Sequence, residues 1–350
     1  VEFIAPADAS AFFFLEMNTR LQVEHPVTEL VYGVDLVEQQ LRVAAGEPLA
    51  LTQEALVPRG HAVEARLYAE DPANGFLPAV GTVRRYVEPA GVRTDSGIRE
   101  GSVVGTDYDP MLAKVIAHAD TRPAALRKLA RALGELELLG VTTNAAFSRE
   151  LLERDDVRAG EIDTGLLERI LAEPPQAPPE DLVPAAALAA AGTARPAGPF
   201  RLRLEEHGEL RVADGAVRAG DREWRADVRK AAGERVRVAL GGLARTYAFA
   251  RDGDALWIAR DGFHLELRVA RTARGAAHSE DTLEAPMPGT VLLVHATNGQ
   301  AVEEGEVLVV IESMKMELSI AAPHGGTVRG LDVAVGDKVG LRQVLAEVIA

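Results

Sequence analysis

A duplication near the C-terminal end constrains this chain more than any other feature. Ala285-Pro286-Met287-Pro288-Gly289-Thr290-Val291 recurs as Ala322-Pro323-His324-Gly325-Gly326-Thr327-Val328, 37 residues further on. The same offset carries Gly299 to Gly336, Val302 to Val339, and Val307-Leu308 to Val344-Leu345. Landmarks repeating at one offset mean two copies of one structural unit. Each copy is punctuated by Gly and rich in Val, Leu and Ile, which reads as short strands joined by turns. Two such halves can cover each other's apolar faces in a flattened barrel, and the segment between them, 307–322, must then form a hairpin. Lys315 stands near the middle of that hairpin, in Glu312-Ser313-Met314-Lys315-Met316. A tight turn there would present the lysine to solvent for acylation by another enzyme. The chain holds five lysines against 33 arginines, so a lysine at this centre is less easily accidental. Exposed methionines on both sides also need a reason, because a turn tip has no core for them to join.

The region 281–350 resembles the biotinyl carrier domain of biotin-dependent carboxylases, in which biotin is joined to the lysine of a Met-Lys-Met tripeptide. The resemblance implies Lys315 as the attachment site, with Met314 and Met316 flanking it, and a biotin protein ligase as the enzyme that modifies it. Ser313 stands where Ala is usual. The lipoyl domain shares the duplicated barrel, but its lysine normally follows Asp and precedes Ala, so the two methionines favour biotin.

A second informative stretch runs from Phe12-Phe13-Phe14-Leu15 into Glu16-Met17-Asn18-Thr19-Arg20-Leu21-Gln22-Val23-Glu24-His25-Pro26. Along an extended chain alternate side chains share a face, which would align Glu16, Asn18, Arg20, Gln22 and Glu24. Glu2 lies on an earlier apolar strand that could pair with this one as a hairpin. A solvated outer face is the simpler explanation of alternation alone. The chemistry of the set points elsewhere: two carboxylates and an amide oxygen are hard donors suited to Mg²⁺. Arg20 offers a planar fork for an oxyanion, and Glu24 could act as a general base.

The run from Glu16 to Glu29 resembles the signature of biotin carboxylase, an ATP-grasp enzyme. The resemblance implies that Glu2, Glu16 and Asn18 hold Mg²⁺ or Mn²⁺ bridging ATP phosphates. It implies that Arg20, Gln22 and the backbone of Val23 hold bicarbonate, and that Glu24 takes its proton. The spacing between Glu2 and Glu16 is slightly long for the family. His61-Ala62-Val63-Glu64-Ala65-Arg66-Leu67-Tyr68-Ala69-Glu70-Asp71-Pro72 resembles the first strand of the biotin carboxylase C-terminal domain, and implies that Arg66 faces the ureido oxygen of biotin. Phe76-Leu77-Pro78, Asp107-Tyr108-Asp109-Pro110-Met111 and Gly140-Val141-Thr142-Thr143-Asn144 continue the match.

With 350 residues, two or three domains are expected. A net charge of −15 gives no electrostatic case for nucleic acid or anionic membrane. No cysteine is present, which excludes disulfides and thiolate metal sites and suits a cytoplasmic protein. No apolar run is long enough to span a membrane. The chain begins at Val1, inside an expected strand, and reads as the C-terminal part of a longer polypeptide that would supply the rest of the ATP-grasp region. An apolar stripe from Leu30 through Val34 and Val37 to Ala45 reads as an amphipathic helix, and Ala124 to Leu139 as another.

The expected fold is multidomain α+β. Residues 1–54 end an ATP-grasp domain, and 55–172 form a biotin carboxylase C-terminal domain. A Pro/Ala-rich linker at 173–196, with a short helix possible at 185–191, leads to an antiparallel β-barrel at 197–275 that joins a partner subunit. The flattened barrel of 281–350 follows. Seven strands are expected in 197–275, with turns at Asp214-Gly215, Asp252-Gly253 and Asp261-Gly262. The resemblance implies ATP-dependent carboxylation of protein-linked biotin with bicarbonate, and carriage of carboxybiotin to a separate carboxyltransferase β subunit in a hetero-oligomer. The favoured acyl acceptor is 3-methylcrotonyl-CoA, with propionyl-CoA or acetyl-CoA as alternatives. A passive biotinyl or lipoyl carrier without catalysis is the competing class.

Overall fold

Two short strands open the chain, β1 (Glu2–Ile4) and β2 (Phe13–Glu16), paired antiparallel. The register sets Glu2 opposite Glu16 but Phe3 opposite Phe14, so one extra residue of β2 is taken up in a bulge. That bulge absorbs the long Glu2–Glu16 spacing. Phe3 meets the edges of Phe12 and Phe14, with ring centroids 5.4 and 6.2 Å apart. The structure, a computed structural model, describes all residues except 7, 9, 174–176, 195–199, 206, 233, 270–280, 314, 315 and 350, and only the backbone at 193–194 and 227–232.

The single helix expected across 30–45 is two helices, α1 (His25–Tyr32) and α2 (Leu36–Ala44). Pro26 sits in the first turn of α1, where its missing N–H costs nothing. Gly33 ends α1 in the left-handed region at φ +68°, returning its N–H to Glu29 O. The Asp35 side chain then caps α2 by accepting from Glu38 N.

Next comes a three-stranded antiparallel sheet. Its central strand Met111–Ala119 is flanked by β3 (His61–Tyr68) and by Arg93–Ser96. One face carries Val63, Ala65, Val115 and Ala117 against α3 (Arg122–Glu135), whose Leu126, Leu129 and Leu133 fill the core beneath. The other face lies under α1 and the loop before it. The expected helix at Ala124–Leu139 stops earlier than its apolar pattern. Glu137–Leu139 is a strand paired with Arg85–Val87.

The expected linker at 173–196 is corrected most. Its alanines form the helix Leu182–Ala194, and Leu182, Ala185–Ala190 and Leu188 are buried within the next domain. Eight consecutive antiparallel strands, from Phe200–Leu204 to Phe263–Arg268, surround that helix. The Leu204–Val269 bridge joins the first strand's end to the last and closes the barrel. A helix that is apolar on every side is buried on every side, and alanine lets strands approach it all round. The seven expected strands are present, together with an eighth, Ala216–Ala219. Asp214-Gly215 and Asp261-Gly262 turn with both residues left-handed, the geometry that tight hairpins demand.

The duplicated region forms two four-stranded sheets. One runs Thr282–Glu284, Val344–Ile349, Gly326–Arg329, Ala301–Val302; the other runs Met316–Ala321, Val307–Ser313, Gly289–Val294, Lys338–Val339. Each sheet takes strands from both copies, so the halves interlock. A Cβ on Gly289 would lie 2.4 Å from Glu312 O, and one on Gly326 2.6 Å from Ile349 O. Both pairs are related by the same 37-residue offset, so the repeat holds in close packing as well as in sequence. Among the described residues no helix is long and apolar enough to cross a membrane.

Candidate active site and carrier hairpin

The β1–β2 hairpin brings Glu2 and Glu16 side by side. The Asn18 amide sits between them, donating to Glu2 Oε1 at 2.6 Å and to Glu16 Oε1 at 3.3 Å. The amide N–H₂ thus stands where positive charge belongs between two carboxylates, the place a divalent cation would take. The donor set, two carboxylates and an amide that also carries an oxygen, suits a hard cation that completes its shell with phosphate oxygens and water.

The extended polar face from Glu16 to Glu24 is not one strand. Strand pairing ends at Glu16, the chain bends at Arg20, and Val23-Glu24 turn into α1. Asn18, Arg20, Gln22 and Glu24 nevertheless line one open cleft of about 680 Å³, together with Gln39 and Gln40 of α2. Arg20 Nη1 donates to Leu21 O at 3.2 Å. His25 Nδ1 lies 2.7 Å from Gln22 O and holds the bend.

Below the cleft lies the polar face of the three-stranded sheet. Register places Arg66 opposite Lys114 and Lys114 opposite Asp95; the next row is Glu64, Ile116 and Arg93. Arg66 Nη2 donates to Glu24 Oε2 at 2.9 Å, joining two residues 42 apart in sequence. Lys114 Nζ donates to Val23 O at 3.0 Å and pairs with Asp95 Oδ2 at 3.3 Å. Arg93 spans Asp95 and the buried Glu29 of α1, at 2.8 and 2.6 Å. Burial alone would raise the Asp95 pKa, but hydrogen bonds and charge from Arg93 and Lys114 outweigh it and hold the carboxyl below its ordinary value. Asn144 fixes β3 from behind: its amide donates to Arg66 O, and its oxygen accepts from Tyr68 N.

The structure therefore gathers Glu2, Glu16 and Asn18 in one cluster, and Asn18, Arg20, Gln22 and Glu24 around one cleft; Arg66 joins them through its bond to Glu24, and Val23 through the bond of Lys114 to its carbonyl. Sequence reasoning missed Glu64, Arg93, Asp95 and Lys114, which lie on the sheet beneath, and Glu29 of α1, which pairs with Arg93. Lys114 carried a usable signal, the rarity of lysine in the chain.

In the C-terminal domain, Val307–Ser313 and Met316–Ala321 pair to their ends, with Ser313 opposite Met316. Lys315 and Met314 lie outside the described residues. Met316 is exposed, whereas Ser313 is buried and its hydroxyl has no partner among the described residues.

Three family models match the chain. Residues 1–52 fit the carbamoyl-phosphate synthase L chain ATP-binding domain, 64–169 the biotin carboxylase C-terminal domain, and 281–348 the biotin-requiring enzyme domain. The propionyl-CoA carboxylase alpha chain of Ruegeria pomeroyi is 34% identical over 99% of this chain and 60% of its own length. The chain is similar to biotin-dependent carboxylases along nearly its whole length. The mitochondrial methylcrotonoyl-CoA carboxylase subunit alpha of rice is also 34% identical, over 97% of this chain and 56% of its own. A Rhizobium etli pyruvate carboxylase crystallized with acetyl coenzyme A superposes with a TM-score of 0.50 at 31% identity, covering 54% of this chain and 20% of that one. The chain thus spans a little over half the length of the curated relatives it matches.

Proposed function

We propose that this chain supplies part of the carboxylation site and the carrier domain of an acyl-CoA carboxylase α subunit, acting with ATP, bicarbonate and covalently bound biotin. The bonds of Arg66 to Glu24 and of Lys114 to Val23 O, behind a cleft lined by Arg20, Gln22 and Glu24 and beside the Glu2–Glu16–Asn18 cluster, carry the reading.

Glu2, Glu16 and Asn18 would hold Mg²⁺ or Mn²⁺, which neutralises phosphate charge during transfer. Arg20 and Gln22 would bind bicarbonate together with the N–H of Val23. The Val23 N–H belongs to the Gln22–Val23 peptide, whose oxygen lies against His25 Nδ1, and Lys114 holds the next peptide by Val23 O. The Glu24 carboxylate, beside this pocket, would take the proton of bicarbonate at Oε1 or Oε2. The freed oxygen can then attack the γ-phosphorus as ADP leaves, giving carboxyphosphate. Arg66 would stabilise negative charge developing on an oxygen in the cleft. Biotin on Lys315, once attached, supplies the ureido nitrogen that accepts the carboxyl group.

A carboxyltransferase β subunit would take the carboxyl group onward, with 3-methylcrotonyl-CoA as the first acceptor to try. Propionyl-CoA follows, since relatives of both names match at the same identity. We place the protein in the cytoplasm, although several relatives are mitochondrial forms.

The test is bicarbonate-dependent ATP hydrolysis by the full-length protein, with Glu24→Gln as control. The expected result is hydrolysis that needs bicarbonate and falls at least a hundredfold in the variant, the scale of losing a general base. Hydrolysis unaffected by bicarbonate or by Glu24→Gln would leave only a passive carrier.

A further inference from the structure

Glu64 has no task in the reading above, on which this inference rests. Its side chain is 5% exposed, against 41% for Arg66 and 53% for Glu24. Neither of its carboxylate oxygens has a hydrogen-bond partner among the described residues. Burying a carboxylate that way is costly, and an amide or an apolar side chain would cost less. The groups around it are Arg66 on its own strand, Lys114 on the neighbouring strand, and Glu24 and His25 on the loop above. Arg93 and Asp95 lie across the same sheet, and Glu29 faces them from α1. Burial pushes the Glu64 pKa up; Lys114 and Arg66 pull it back, and Glu24 adds to the rise.

Two carboxylates therefore share one guanidinium. Glu24 takes Nη2 at 2.9 Å, and Glu64 Oε1 lies 3.7 Å from Nε. The partners differ in what they can do. Glu24 is exposed and becomes neutral when it accepts a proton, and its charge-assisted hold on Arg66 then weakens. Glu64 is buried on β3, two residues from Arg66 and on the same face. Its carboxylate lies on the Nε side of the guanidinium, away from the Nη2 that Glu24 holds.

We propose that Glu64 is a positioning residue for Arg66: its buried carboxylate anchors the guanidinium on the sheet behind Glu24 while Nη2 is released from Glu24 toward the developing oxyanion. Without it, Arg66 would follow bulk solvent or stay locked to Glu24.

The test uses the full-length enzyme, with Glu64→Gln, which keeps shape and removes charge, and Glu64→Asp, which keeps charge at shorter reach. Carboxylation of free biotin is expected to fall roughly tenfold to a hundredfold in kcat for Glu64→Gln, the scale of a small misplacement of a catalytic group. The KM for ATP should stay within about twofold, and Glu64→Asp should recover part of the rate. Stability should move the opposite way. A carboxyl whose pKa is raised on folding loses its stabilising contribution as pH rises through the raised value. Glu64→Gln should therefore melt at or above the wild-type temperature, by a margin that widens as pH rises above the ordinary glutamate value of about 4.3.

A Glu64→Gln rate within about twofold of wild type would overturn the proposal. So would a lost rate that tracks a lowered melting temperature, or failure of both variants to fold, since either assigns the carboxylate to stability. Failure of the underlying reading looks different: Arg66→Ala and Glu24→Gln would then keep full activity, whatever Glu64→Gln does.

Discussion

Lys114 is one of five lysines in a chain with 33 arginines, and it ties the sheet to the backbone at Val23. A hydrogen bond from a charged donor is worth ~1.5–3 kcal/mol. Lys114→Met should therefore raise the KM for bicarbonate roughly tenfold or more, while the KM for ATP changes little; steady-state kinetics on the full-length enzyme check this. Asp95, which Lys114 and Arg93 hold ionised, gives a pH prediction. Its depressed pKa contributes stability that is present above about pH 4 and lost as pH falls through the lower folded value. Asp95→Asn should flatten the acid side of the melting-temperature profile, which thermal melts across that range would show. Legibility divides here by sequence distance. Glu16, Asn18, Arg20, Gln22 and Glu24 stand within one short run and could be read together. Glu64, Asp95 and Lys114 meet the run only through strand register, which no local pattern encodes.

The Leu182–Ala194 helix shows what was legible at the level of elements and what was not. Six prolines among alanines look like a linker because prolines interrupt elements. Yet Pro184 falls in the first turn, where it is tolerated, and the alanines after it are core. Asp181 stands just ahead of the helix and clasps three barrel side chains: Arg245 at 2.7 Å, Tyr247 Oη at 2.8 Å and Arg260 at 3.0 Å. Arg260 also lies over the Tyr247 ring, 5.8 Å from its centre. Asp181→Ala would leave the buried Tyr247 hydroxyl and the Arg260 charge without this acceptor, at a cost of about 3 kcal/mol. Hydrogen exchange should then show roughly a hundredfold loss of protection in the barrel strands and none in the 281–350 domain. The barrel hairpins were legible because Asp-Gly turns and alternating apolar residues encode them locally. Ala216–Ala219 escaped because it is short and poor in strand-forming side chains.

Across the whole molecule, the β-barrel and the carrier are attached differently. The barrel docks on the sheet region through Leu139, which packs with Trp257 and four barrel alanines, and through a cluster of Arg85, Glu137, Glu234 and Arg235. The 281–350 domain is held by Leu77 and by two exposed pairs, Lys338–Asp107 at 3.9 Å and Arg342–Glu205 at 3.7 Å. Exposed pairs of this kind are worth ~0–1 kcal/mol. Lys338→Ala with Arg342→Ala should leave the overall melting temperature within about 1 °C, while proteolysis between barrel and carrier stays at its wild-type rate. The most direct measurement is transfer of isotopically labelled bicarbonate to the full-length protein, co-expressed with a biotin protein ligase and supplied with ATP and Mg²⁺. The account predicts acid-labile label on the wild-type chain and none on Lys315→Ala or Glu24→Gln. A biotinylated wild-type chain that takes up no label, or a Lys315→Ala chain that labels equally well, would contradict it.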